Sequence, residues 1–281
     1  MCILLSNNEH PDYSLILISN RDEVFQRKSL RMHEHIGADK KTTLMGVDQL
    51  GKGTWLCIDK EDKAFSVVMN VQSKPEIAEK MCSRGLLPLK MLQYVKEKNQ
   101  LPTSFDEFDE YYEDLKNTRF FKLIYGNYAN EELNYHLLSL ADDNKPVYKN
   151  LNKYENFVSS NQYESDSQDF ANDPWAKLNI GKRLIKQLNN VKKEEDIIEK
   201  CFEIAQHNTF NVDNTPIEFQ ESKRKVRSSV FIPSHDVLIN GAKYRYGTRT
   251  TTLILIKKDG NIKVIERERV CDDSGDNSFV V

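Results

Sequence analysis

The chain has 281 residues, 39% of them hydrophobic and 30% charged, so it is long enough to bury a sizeable core without disulfide or metal staples. Its 40 basic and 43 acidic side chains leave a net charge of −3, which removes the simplest support for nucleic-acid or anionic-membrane binding. The longest apolar runs, such as Leu15-Ile16-Leu17-Ile18 and Leu253-Ile254-Leu255-Ile256, fall far short of the roughly 18 residues a spanning helix needs. The first eight residues lack a basic stretch and a cleavage pattern, so cytosolic synthesis is expected.

In chain order, Cys2–Ser6 and Tyr13–Ser19 are β-rich apolar runs around a polar, turn-forming cluster and predict a hairpin. The tetrapeptide Asn20-Arg21-Asp22-Glu23 follows, where the second strand is expected to leave the sheet. Hairpin pairing sets Arg21 and Asp22 close to Cys2. Residues 38–51 read as a polar loop. A second hairpin is expected from Thr54–Ile58 and Ala64–Asn70, and an amphipathic helix from Arg84 to Glu97. Phe121–Tyr125, Tyr135–Ser139 and Phe157–Ser160 are further strand candidates, and 163–172 a second loop. Asp173-Pro174-Trp175 has the chemistry of a helix start, and the stripe Leu178, Ile180, Leu184, Ile185, Leu188 continues it. Another helix is expected over Glu194–His207, a charged loop over 208–227, and a strand over Ser229–Ile232. Thr250–Ile256 and Ile262–Glu266 form a third hairpin. Strand pairs at both ends with helices between them predict a single α+β layered domain over 1–281.

Five cysteines with wide spacings and no CxxC pair argue for reduced thiols rather than a disulfide framework or zinc knuckle. Cys57 and Cys201 read as small buried hydrophobes. Cys2 is distinctive, because loss of Met1 leaves one residue carrying both a thiol and an α-amine. That amine, with a pKa near 7.7–8.0, can accept the thiol proton at neutral pH, and a neighbouring cation such as Arg21 is expected to lower the thiol pKa. Asn70 and Asn161, at strand ends, offer amides for a developing oxyanion, although such asparagines are more often turn formers. Arg249 opens the last long strand with its facing ambiguous. His33 and His35 straddle Glu34 and could face one way on a strand, but an HxH pair without further ligands is mostly incidental.

Taken together, Met1-Cys2, Asn20-Arg21-Asp22-Glu23, Gly53-Thr54-Trp55-Leu56, Ser83-Arg84-Gly85-Leu86, Ser160-Asn161, Pro174-Trp175-Ala176-Lys177, Tyr246-Gly247-Thr248-Arg249 and Glu266-Arg267 resemble, in order, the motifs of the NRDE family, whose animal members are called transport and Golgi organisation protein 2. The resemblance spans nearly the whole chain. It implies a four-layer αββα sandwich of the N-terminal-nucleophile hydrolase type, with mainly antiparallel sheets. By position it implies Cys2 as nucleophile, Arg21 and Asp22 as orienting groups, Asn70 and Asn161 as oxyanion or carbonyl donors, and Arg249 as the basic residue completing the site. The implied reaction is hydrolysis of an amide or thioester, with no metal or organic cofactor required. The family also implies roles in Golgi organisation, secretion and haem trafficking. The alternatives are therefore a non-enzymatic carrier of haem or an acyl chain, in the cytoplasm or at Golgi or mitochondrial membranes, and an interaction scaffold. The chain departs from the family at Val24, at Arg27-Lys28, and at Asn70-Val71-Gln72, where an expected arginine is absent.

Overall fold

The computed structural model describes residues 2–36, 42–71, 82–128, 132–141, 146–153, 156–162, 175–212, 215–271 and 277–280. The chain begins with strands β1 (Cys2–Asn7), β2 (Tyr13–Val24), β3 (Ser29–Ile36), β4 (Thr42–Asp48), β5 (Leu56–Asp59) and β6 (Ala64–Asn70). Helices α1 (Leu87–Lys98) and α2 (Phe105–Tyr111) precede β7 (Phe121–Asn127), β8 (Asn134–Leu140), β9 (Val147–Asn150) and β10 (Asn156–Ser160). Helices α3 (Ala176–Ile185) and α4 (Glu194–Ala205), strand β11 (Ile217–Glu218) and helix α5 (Phe219–Lys225) follow. The chain closes with β12 (His235–Ile239), β13 (Ala242–Lys257), β14 (Ile262–Cys271) and β15 (Asn277–Val280).

These elements form two compact units. The first comprises Met1–Arg27, Glu155–Ser160 and Gln168–Val281. Its sheet has the order β10-β1-β2-β13-β12-β11, with β14 pairing β13 and β15, and every pairing is antiparallel except β11 with β12. Alternation turns Ile3, Leu5, Ile16, Ile18, Leu253 and Leu255 to one face, where Leu184 and Ile185 of α3 and Ile197, Cys201 and Phe202 of α4 cover them. The second unit, Lys28–Tyr154 with Asn161–Ser167, is a seven-stranded antiparallel meander from β3 to β9. Val68, Leu123, Tyr125 and Leu138 pack there against Leu87, Met91 and Val95 of α1 and Phe105 and Phe108 of α2. Both units are thus mainly antiparallel sheet with helices, the α+β class expected.

All three hairpins form, with Leu5 opposite Ile18, Leu56 opposite Val67 and Leu253 opposite Ile265. Four local readings change. The polar segment 38–51 contains β4, whose Leu44 pairs with Ile58; flanking charge hid a short β-branched run. The segment 208–227 contains β11 and α5, so its charge run is the solvated side of a helix, with Glu221 bridging Lys225 at 3.1 Å. Ser229–Ile232 joins no strand, because its polar groups bond to neighbouring elements instead. The Phe231 amide donates to the His207 carbonyl (3.0 Å) and the Ile232 amide to Thr248 Oγ1 (2.8 Å). The fourth change, the length of β2, belongs to the site below. The expected loop 163–172 and the Asp173-Pro174 helix start lie outside the described residues.

Two motif glycines meet in the second unit. A Cβ on Gly53 would lie 2.4 Å from the Gly85 carbonyl group, and the Thr54 amide donates to that carbonyl at 2.8 Å. Backbone cannot yield as a side-chain tip can, so Gly53→Ala is expected to cost about 1–3 kcal/mol, read as a lower urea midpoint at unchanged m-value.

In the first unit, Glu194 at the start of α4 accepts hydrogen bonds from Lys257 (2.7 Å), from Lys263 and from Tyr13 Oη (3.1 Å). The Lys257 bond first, then the Lys263 bond, bring its carboxyl from 4.5 down to about 2. A depressed folded-state pKa contributes stability that is present above the unfolded value and lost as pH falls toward about 2. Glu194→Gln should therefore flatten the acid limb of the stability curve between those limits, measured as urea midpoints.

Candidate active site

The strand carrying the tetrapeptide does not leave the sheet at Ser19. It continues to Val24 because β13 pairs with it along its whole length, from Lys257 opposite Tyr13 to Tyr246 opposite Val24. Across the other edge of β2, Cys2 pairs with Arg21 and Ile3 with Asn20. Alternation then divides the tetrapeptide. Asn20 and Asp22 turn to the helical face with Ile16 and Ile18, whereas Arg21 and Glu23 share the opposite face with Cys2. The register of β13 slips between Thr248, opposite Asp22, and Thr250, opposite Arg21. Arg249 is the extra residue of a β-bulge, which resolves its facing by re-aiming the side chain.

Burial obliges each of these polar groups to find a partner. Asn20 Nδ2 donates to the carbonyls of Ala205 (2.8 Å) and Val230 (3.0 Å), and Asn20 Oδ1 accepts from Thr251 Oγ1 (2.7 Å). Its amide is a structural clasp. Asp22 Oδ1 accepts from Thr248 Oγ1 (2.7 Å), which itself accepts from the Ile232 amide. Arg21 pairs with Glu23 at 3.8 Å, and Glu23 also reaches Arg27 at 3.9 Å. Arg249 is only 9% exposed. It bridges Glu268 at 3.1 Å and donates to the Phe25 and Arg27 carbonyls. Ser160 of β10 donates to the Cys2 carbonyl, which pins the first residue of β1 from its other side.

The electrostatics differ from the expected depression of the thiol. Burial, and behind it the Asp22 charge, raise the Cys2 pKa and outweigh the opposing pull of the amino-terminal charge, the Asp22 backbone hydrogen bond and the Arg21 charge. Burial likewise raises the Asp22 carboxyl, against the Lys177 cation and the Thr248 hydrogen bond, and lowers Arg249 against Glu268. Lys177 was not singled out by its chemistry in the sequence. It is wholly buried, and burial lowers its pKa while the charges of Asp22 and Cys2 raise it. A signal was present, since Lys177 falls one turn before Gly181 and two before Leu184 and Ile185, the buried face of α3. Thr248 and Glu268 were also missed, because their roles depend on pairing across β13.

Cys2, Arg21, Asp22 and Arg249 thus come together in the first unit. Asn70 and Asn161 belong to the second, where Asn161 Nδ2 donates to the Asn70 carbonyl. Asn161 is buried, and Asn70 is exposed at the end of β6. Cys57 and Cys201 are buried free thiols and Cys82 is exposed. His33 and His35 do face one way on β3, their ring centroids 3.9 Å apart, but no metal-binding group of His, Cys, Asp and Glu occurs among the described residues. No helix among them is long and apolar enough to cross a membrane.

The family model for Transport and Golgi organisation 2 matches residues 1–270. The chain belongs to that family. This is the NRDE family that the motifs indicate. An uncharacterized protein of Saccharomyces cerevisiae is 27% identical over 304 residues, covering 100% of this chain and 96% of its own length. Among solved structures, a Caenorhabditis elegans N-acylethanolamine-hydrolyzing acid amidase ortholog is 9% identical with a TM-score of 0.40, covering 71% of this chain and 85% of its own, a likeness too slight to bear on activity.

Removing the Asn20 amide leaves two carbonyls and the Thr251 hydroxyl without that partner in the interior. Asn20→Ala is accordingly expected to lower unfolding free energy by about 2–3 kcal/mol, measured by denaturant titration, although Asn20 itself touches no reacting atom.

Proposed function

We propose that this Transport and Golgi organisation 2 family member, once Met1 is removed, is an N-terminal cysteine hydrolase acting on amide or thioester bonds. One observation carries the reading. Cys2, the residue that removal of Met1 would expose, stands in register with Arg21 and is hydrogen-bonded by the Asp22 backbone. A thiol raised by burial is a weak nucleophile until a base relieves it of its proton, and the α-amine of the same residue is such a base.

In this reading the amine takes the Sγ proton and the thiolate attacks the carbonyl carbon, forming a C–S bond while the carbonyl electron pair moves to oxygen. Collapse of the tetrahedral adduct breaks the bond to the leaving amine or thiol, which departs with the proton from the α-ammonium. Water, deprotonated by the same amine, then cleaves the acyl-enzyme. Arg21 supplies positive charge on the face that Cys2 shares, Asp22 orients the amine, and Arg249, fixed by Glu268, completes the polar wall. The steps require no cofactor. Golgi organisation, which the family description names, is the setting in which turnover of such an acyl compound would act.

The test begins with the intact mass of natural protein, which should lack Met1. A short-chain acyl thioester should then add one acyl group to the Cys2 peptide. Cys2→Ala abolishes the adduct, whereas Cys201→Ala, at a buried thiol in the α4 core, retains it. Labelling of Cys2 no faster than of exposed Cys82 sinks the reading. A Soret shift with haem in the absence of acylation would favour carriage instead.

A further inference from the structure

The helix that covers β1 delivers a second ionisable group to this site. Helix α3 runs alongside β1 in the same direction. Gly181 lies against Leu5, where a Cβ would be 2.8 Å from Leu5 Cδ2, and the Ile185 carbonyl accepts from Asn7 Nδ2 at 3.1 Å. One helical turn before Gly181, the same face therefore arrives at the Cys2 end of the strand, and the residue there is Lys177. Lys177 is 0% exposed. Its Nζ makes no hydrogen bond among the described residues and stands 5.5 Å from the centroid of the Trp175 ring, whose other neighbour is the Arg227 guanidinium at 5.0 Å.

A buried amine without an acceptor is costly, and a core position would suit leucine or methionine better unless the charge is used. The anionic groups within its electrostatic reach are Asp22 and Cys2. Asp22 is likewise a buried carboxyl, and the cations that favour its ionised form are first the amino terminus and then Lys177, with the Thr248 hydrogen bond adding a dipole. Each makes the other's ionised form tenable.

We infer that Lys177 is a positioning residue for the Cys2 nucleophile, a buried cation that keeps the Asp22 carboxyl ionised so that Asp22 can hold the Cys2 α-amine. This rests on the N-terminal-nucleophile reading above. The charged and titratable groups around the cluster are the amino terminus and Cys2 on β1, Arg21, Asp22 and Glu23 on β2, Tyr246 on β13 and Arg227 in the turn after α5. Removing the cation lets Asp22 take up a proton at higher pH and deprives the thiolate of a positive neighbour. The first frees the amino-terminal ammonium, whose charge lowers the thiol pKa more than the Asp22 charge raises it, and the second acts on the thiolate directly, so both move the reactivity of Cys2 toward alkaline pH.

The experiment alkylates the full-length, Met1-free protein with iodoacetamide across pH and follows the Cys2 peptide by mass. Lys177→Met should move the midpoint to higher pH, slowing the reaction at neutral pH about tenfold for every pH unit by which the midpoint rises, with the alkaline plateau unchanged. Lys177→Gln is read in its place if the methionine variant does not fold. In an Asp22→Asn background the same substitution should move the midpoint by less, because only the direct action of the cation on the thiolate is then lost. A midpoint that stays at the parent value with a normal plateau overturns the inference alone, as does a displacement of equal size in the Asp22→Asn background. If parental Cys2 reacts no faster than Cys82, the nucleophile reading fails and takes the inference with it.

Discussion

Everything about this site depends on the extension of β2 past its apolar half, under β13, to Val24. An ordinary hairpin strand with this sequence would release Asn20-Arg21-Asp22-Glu23 to solvent. Pairing with β13 draws Asn20, Arg21 and Asp22 into the interior instead, where each unsatisfied polar atom costs on the order of 1–3 kcal/mol. The consequence is a dense web of obligatory partners. Thr251, Ala205 and Val230 serve Asn20, Thr248 serves Asp22, and Glu23 answers Arg21.

The period-two alternation then separates two jobs. The helical face receives Asn20 and Asp22, so its polar groups are tied to α4, to the segment around Val230 and, through charge, to Lys177 on α3. The other face receives Cys2, Arg21 and Glu23, and the bulge at Arg249 adds a guanidinium bonded to Glu268. One strand thereby carries Arg21, in register with Cys2, on one side of the sheet and Asn20 and Asp22 on the other. Because the tetrapeptide is divided in this way, its four residues are not interchangeable. Asn20 maintains architecture, and Asp22 links the two faces.

Much of this could be read from the chain alone. Apolar runs of period two bounded by turn residues announced the hairpins, and pairing arithmetic alone brought Arg21 to Cys2. The remainder was hidden for physical reasons. The length of β2 could not be seen because charge normally ends a strand, and only pairing with residues more than two hundred positions later retains it. Lys177 resembled any helix-surface lysine until α3 turned that face inward. The thiol's raised pKa reflects desolvation, a property of the packed interior that residue types do not encode, whereas the Arg21 charge that opposes it was visible in the tetrapeptide. The segments 38–51 and 208–227 misled through composition, since charge flanks β4 and α5 carries its own on a solvated side.

The Thr248–Asp22 and Thr251–Asn20 bonds join residues separated by 226 and 231 positions. During synthesis the first strands leave the ribosome long before their central partner exists, by roughly ten to forty-five seconds at 5–20 residues per second. Throughout that interval β2 lacks the strand that covers its second edge, and Asn20 and Asp22 lack their threonine partners. Assembly of this polar web is therefore ordered in time by chain topology, with the completing strand arriving only near the close of translation.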